Sequence, residues 1–512
     1  MTAPARPGPG SWPRGCAVSE VIGSLILVSV VVISMAMIGT LLLSQGLPAK
    51  IPHFDAIIMN QSRNIYIQHT GGDPLAAGEF LILVDGQDLT SSFANNGDDP
   101  WSLGETLYAS LPDVPGSLVF VLNQSGGGSL VVFAKSLQSV KKIPEPSDIE
   151  WYNFGPTGRC DWKYRKCITI DHTKVAGSLN DFPVLISLGS DAELAASAKD
   201  DGTSIVFTAA DGTTKLSHEI ESFTKASGRL VAWVKVTSVS STEDTVLWMY
   251  YGNTGAADQQ DVDHVWDGDF KGVWHLEESG SGAAGEYKDA TANANNGHGG
   301  SGTASRVPTL STGMMDGAQL FDGSNDLINT GSAASIDDVF GAGGTFSAWI
   351  YPHTIGGSSE GRIQDKSSGA TGQNGWSFAT YTNNVLMFRK GFGTTRGYWT
   401  TPAGSVTLNT WNHVAVMYDQ GNVANNPAIS INGISLPITE VSSPAGAVQS
   451  DGGNNMILGN RAGAGYPFDG IIDEVRASKT IRAPQWIQTE YTNQNDPAGF
   501  IVTGTEEEWW KC

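Results

Sequence analysis

The stretch Lys288–Gly297, KDATANANNG, crowds oxygen donors into one loop: Asp289, then Asn293, Asn295 and Asn296. A hard cation such as calcium gathers roughly six to eight oxygens from carboxylates, amides and backbone carbonyls. Asp289, with Asn295 behind it, is therefore a candidate calcium ligand. The same residue types also build Asx turns, which need no ion. DGSND, Asp322–Asp326, reads as a tight turn. His69 and Asp73 supply two ligands without a third and read as turn residues.

Catalytic signatures are sparse. The sequence holds no nucleophile elbow, no phosphate-binding loop and no HExxH pair. Glycoside cleavage needs two carboxylates about 5–10 Å apart across a cleft. On a strand only residues two or four apart share a face. Asp473 and Glu474 in IIDEVR, and Glu277 and Glu278 in HLEES, are adjacent and are expected on opposite faces. No enzyme is expected. Trp349, Trp376, Trp399 and Trp411 could stack on sugars, but a strand-borne tryptophan is usually core. Trp399, in the loop-like GYWTTPAG, is the candidate ligand platform.

Of the cysteines Cys16, Cys160, Cys167 and Cys512, none forms a CxxC. Cys160 and Cys167 flank DWKYRK and form a candidate disulfide in an oxidising compartment, with Cys512 as a rival partner and free thiols as the alternative. Asn60 and Asn123 head the glycosylation sequons NQS.

These residues need elements to position them. A chain of 512 residues is too long for one core and predicts about three folded units. Its 62 glycines, with abundant Ser, Thr and Asn, favour short strands joined by turns, so the fold class is mainly β. The formal charge of −22 argues against nucleic acid as a partner.

One helix stands apart. Val21–Leu43 is 23 residues without a charge, about 34 Å as a helix and enough to cross a hydrocarbon core. Arg6 and Arg14 precede it with no acid, which keeps the N-terminus cytoplasmic and the bulk outside. Glu20, directly before the run, is a cost that a plain signal anchor leaves unexplained. Arg14–Gly15, Cys16, Glu20 and the helix resemble the class III signal of type IV pilins, and AVSEVIG is especially similar to archaeal ones. The resemblance implies a leader at 1–15, cleavage after Gly15 and a helix over 16–46. Cys16 departs from the residue types expected at a pilin N-terminus. Cleavage would expose an amine able to pair with Glu20 of a neighbouring subunit; the other reading is a headgroup-level acid at a helix start.

Beyond the helix, residues 47–140 show short strands such as NIYIQHTGGD and EFLILVDGQ, similar to the globular part of archaeal pilin-like proteins. Residues 141–158 form a Pro- and Gly-containing linker. The strands of 159–255, from WKYRK to WMYYGN, resemble a domain of unknown function from modular microbial surface proteins. Residues 262–480 carry KGVWHLEESG, GAQLFDGSNDLINT, GTFSAWIYP, TWNHVAVMYD, AISINGISL and FDGIIDEVRAS in order, and resemble a laminin-G-like, concanavalin A-like jelly roll. That resemblance suggests a structural ion linking the Asp289 loop to Asp473. Residues 481–512 predict a short helix opening at Pro484 and a last strand.

Together the resemblances imply a membrane-anchored, extracellular pilin-like protein with a lectin-like module. Its expected role is adhesion or cell-surface contact. The membrane, pilin subunits and glycans are the expected partners, and calcium the candidate cofactor. A non-polymerising envelope protein and, third, a polysaccharide hydrolase are the alternatives.

Overall fold

A computed structural model describes residues 54–61, 64–95, 100–102, 105–111, 117–123, 129–136, 162–368 and 374–508. The leader, the apolar run, Gly15, Cys16, Glu20 and the linker lie outside these residues. Among the described residues no helix is long and apolar enough to cross a membrane. The chain divides into two compact units, 1–143 and 144–512.

The first unit builds two four-stranded antiparallel sheets. Alternation drives it: Ile65 and Ile67 are buried while Tyr66 between them and Gln68 after them are not fully so. With Phe80, Ile82, Trp101, Leu118 and Phe120 they form its core. Asp85 and Gly86 both take positive φ, 49° and 79°, which closes a tight turn after Phe80–Val84. Asn60 lies in Phe54–Gln61 and Asn123 ends Ser117–Asn123.

The second unit contains two β-bodies. In one, a three-stranded sheet and a four-stranded sheet share a core that includes Val184, Trp233, Ile168, Phe207 and Met249. The last strand of the chain, Ile501–Glu508, belongs here and pairs with Tyr164–Ile170. The other body stacks two eight-stranded sheets over Trp274, Phe346, Trp376, Phe388 and Ile472, the expected jelly roll. Asn432 and Gly433, at φ 51° and 75°, make the predicted hairpin turn.

Helix α1, Pro484–Asn495, starts on Pro484 as expected and bridges the two bodies. Its buried face sets Trp486 and Ile487 in the core of the smaller body and places polar Thr489, Glu490, Asn493 and Gln494 beside them. Asn493 accepts from Leu185 N–H at 2.7 Å and donates to Leu185 C=O at 3.1 Å, on the edge strand Leu179–Leu188. Gln494 accepts from Trp349 Nε1–H at 2.5 Å, and Glu490 accepts from Ser347 Oγ–H at 3.0 Å, both on the jelly-roll strand Gly344–Pro352. Burial would raise the Glu490 carboxyl, but Arg476 and His413 hold it at about 2.

Candidate functional site

Four jelly-roll strands, Glu360–Ser368, Asn374–Tyr381, Val385–Lys390 and Gly397–Thr400, are neighbours in one sheet. Alternation sends Ile363, Trp376, Phe378, Leu386, Phe388 and Trp399 into the core and their neighbours to the opposite face. On that face the register lines up Asp365, Ser377, Arg389 and Tyr398 as one cross-strand row. Glu360 pairs with Tyr381 and Arg362 with Ala379 in the rows beside it.

The face is charged. Arg362 bridges Glu360 and Asp365, and Arg389 Nη1 donates to both oxygens of Glu360 at 3.1 and 2.9 Å. Buried charges are tolerable only when paired in this way. The Arg389 guanidinium lies 4.9 Å from the Tyr398 ring centre and 5.8 Å from that of Tyr381. Arg362 and Arg461 lie 5.0 and 5.7 Å from the Tyr466 ring centre. Burial and the nearby Arg389 both lower the Arg396 pKa. Four guanidinium groups, of Arg362, Arg389, Arg396 and Arg461, thus outnumber the carboxylates Glu360 and Asp365 on a chain whose formal charge is −22. Tyr381, Tyr398 and Tyr466 are half-buried and offer ring surface beside the charges.

A second cluster lies where the jelly roll meets the other body of its unit. The strand His218–Thr224 contributes Glu219 and Glu221, and the jelly roll contributes His275, Asp473, Glu474 and Arg476. His275 Nδ1 is 2.6 Å from Glu474 Oε1 and 3.7 Å from Glu221 Oε2, and Nε2 is 3.4 Å from Glu219 Oε2. Burial disfavours the imidazolium, yet Glu474, Glu219 and Glu221 outweigh it and push the His275 pKa well above its ordinary value. Burial drives Glu221 well above the carboxylate range, with Glu474 and Asp473 adding to it. Glu474 sits at a positive φ of 50°, and the partner strand slips register between Ser347 and Trp349. This break corrects the expected separation of Asp473 from Glu474: both are buried, and Glu474, after burial itself, pushes Asp473 up.

The residues singled out in the sequence fare unevenly. Trp399 is not a ligand platform. It lies in the strand Gly397–Thr400, fully buried, stacked 6.0 Å from Phe388, with Nε1–H donated to Asn426 at 2.7 Å. Its neighbour Tyr398 takes the outward position. Cys167 carries a free thiol, so the expected bridge to Cys160, which lies outside the described residues, is not formed. Burial raises the Cys167 pKa to about 11. Asp289 accepts backbone N–H groups of Val273, Thr291 and Asn295 at 2.8–3.0 Å. Asn295 binds Lys271 C=O at 2.6 Å and Ser335 Oγ at 3.1 Å. Asp473 Oδ2 accepts Met314 N–H at 2.7 Å. The three expected calcium ligands thus each hold a different stretch of backbone.

Among the described residues, two triplets of His, Asp and Glu bring one ligand atom each within 4.8 Å: Asp171, His172 and Asp244, and Glu221, His275 and Glu474. Sequence reasoning missed both. Glu219 and Glu221, two apart in SHEIES, did announce a strand with one acidic face, but nothing local tied them to His275. The arginine face was equally silent, because Arg362, Arg389 and Arg396 converge only through sheet pairing.

The fold is thus a concanavalin A-like jelly roll joined to a smaller β-body, behind a pilin-type N-terminal segment. Residues 322–488 match the model of the concanavalin A-like lectin/glucanases superfamily. Residues 201–277 match a domain of unknown function (DUF2341), and residues 16–56 match the archaeal type IV pilin N-terminal family. No curated protein matches the chain. Among solved structures, the binding domain of paraclostridial mosquitocidal protein 1 is 14% identical, with a TM-score of 0.34 over 44% of this chain and 52% of that one. The chain thus spans about half the length of that structure. Domain 4 of a GH43 extracellular arabinanase from Geobacillus stearothermophilus, in complex with arabinotriose, is 14% identical, with a TM-score of 0.28 over 44% and 98%. A heptameric SAP-like pentraxin from Limulus polyphemus is 16% identical, with a TM-score of 0.23 over 28% and 68%.

Proposed function

We propose that this is a membrane-anchored, extracellular pilin-like protein whose jelly roll binds glycans without cleaving them, in adhesion or cell-surface contact. The arginine and tyrosine face around Arg389 and Tyr398 carries this reading. Tyrosine rings offer apolar faces to sugar C–H groups, and the partly exposed guanidiniums of Arg396 and Arg461 suit carboxylates and sulfates, while Arg362 and Arg389 are buried against Glu360 and Asp365. A cationic surplus on an acidic chain selects acidic glycans over neutral ones. Glu360 and Asp365 are both locked onto Arg362, which favours holding a ligand over hydrolysing it.

A glycan array probed with the full-length chain in detergent tests this. Retention is expected on uronate- or sulfate-bearing glycans, weakened at least about tenfold in Tyr398→Ala and by raised salt. Retention unchanged in Tyr398→Ala, or none on any glycan, would defeat the reading and favour a purely structural envelope protein. Sugar release from the bound glycan would revive the hydrolase.

A further inference from the structure

We propose that Glu221, His275 and Glu474 form a binding site for a divalent metal ion of the zinc or manganese kind, placed between the two β-bodies of residues 144–512. The donor set is one imidazole and two carboxylates, with one ligand atom from each within 4.8 Å of the others. Metal–ligand bonds of about 2.0–2.2 Å fit that spacing after small rotamer adjustments. Mixed nitrogen and carboxylate donors suit zinc and manganese better than calcium, which prefers oxygen alone.

The surroundings are those of a metal centre. Glu219 Oε2 faces His275 Nε2, so that Nε2–H can be held by a carboxylate while Nδ1 turns its lone pair to the ion. Trp233 Nε1–H donates to Glu221 Oε2 at 2.8 Å, and Arg476 Nη2 donates to Glu474 Oε2 at 2.7 Å. Each ligand is thereby oriented from behind. The Trp266 Nε1–H in turn donates to Glu219 Oε2 at 3.3 Å.

A second observation points to a missing ligand. Glu221 Oε1 accepts no hydrogen bond, although the side chain is only 1% exposed. Asp473 Oδ1, beside it, is also buried and unpartnered. Orphaned carboxylate oxygens are costly in a low-dielectric interior. Among the described residues, the cations that meet Glu219, Glu221, Asp473 and Glu474 are His275 and Arg476, and Arg476 is shared with Glu490. With His275 neutral as a ligand, Arg476 offsets one of the four carboxylate charges and one dication offsets two of the remaining three. Its ligands come from both bodies, so the ion would also tie them together. The inference is independent of glycan binding.

The test uses the full-length chain in detergent, stripped with a chelator and dialysed against Zn2+ or Mn2+. His172→Ala serves as the background, because it disables the half-exposed Asp171, His172 and Asp244 triplet. One ion per chain and a raised melting temperature are expected. Glu221→Gln and His275→Gln should each lose the bound ion, and Glu219→Gln should weaken it about 10–100-fold. Near-UV circular dichroism of the metal-free variants checks that they fold; if Glu221→Gln does not, Glu474→Gln takes its place. Absence of a stoichiometric ion, or an ion retained at full affinity in the ligand variants, would overturn the site. So would a Glu221→Gln chain that is stabilised while the parent gains nothing from either metal, since the carboxylates would then be serving each other through protons alone.

Discussion

His218 is fully buried on the strand His218–Thr224, with Nδ1 3.2 Å from Leu216 C=O and its ring edge-on to Phe207 at 5.3 Å. Burial holds its pKa down at about 4, with Lys215 adding slightly and Asp258 opposing. A depressed imidazole binds its proton in the unfolded chain before it does so in the folded one. Its contribution is therefore complete above about pH 6.5 and is lost as pH falls through 4, with a total of about 3 kcal/mol. Denaturation curves between pH 7 and 4 should show that loss shrink in His218→Gln relative to the parent. An unchanged pH slope would assign the acid sensitivity to other groups. Residue chemistry was only partly legible in the sequence. Asp289 and Asn295 are legible as oxygen donors crowded into one loop, and they do converge, but on backbone amides and carbonyls. Trp399 was misplaced because GYWTTPAG hides a strand, and a one-residue shift in alternation exchanges the buried tryptophan for Tyr398.

At the scale of elements, α1 works through polar groups beside its buried Trp486 and Ile487. Asn493 satisfies both the N–H and the C=O of Leu185 on an open sheet edge. Asn493→Ala leaves that pair buried and unmet and should cost about 1–3 kcal/mol in chemical denaturation. Asn493→Gln, too long for the same two bonds, should rescue little of it. Full stability in the alanine variant would show that the edge finds other partners. Pro484 and the Trp486/Tyr491 spacing revealed this helix in advance. Its polar contact face could not be read, since Glu490, Asn493 and Gln494 look like a solvated surface until the strands they cap are known. Hairpin turns at Asp85–Gly86 and Asn432–Gly433 were legible because a positive φ at both centres selects those residues.

For the whole molecule, matches at 16–56, 201–277 and 322–488 fall in the order of three of the expected modules, while the last strand, expected in a separate C-terminal segment, joins the sheet of Tyr164–Ile170. Long strand phrases carry such information because buried faces repeat with period two. What the sequence could not show is the interface chemistry between modules, which depends on three-dimensional convergence. Mass spectrometry of the native chain should find Cys16 as its first residue if the pilin-type leader is removed. A chain beginning at Met1 or Lys50 would rule out that processing.

The closing strand Ile501–Glu508 lies against Tyr164–Ile170, and Glu507 reaches Arg165 across 342 positions of sequence. The smaller body therefore begins before the jelly roll in the chain and is completed after it. Until then Tyr164–Ile170 presents an open hydrogen-bonding edge to whatever the nascent chain meets. A chain cut short before Ile501 would carry the strands of the jelly roll while Tyr164–Ile170 still lacked its partner strand.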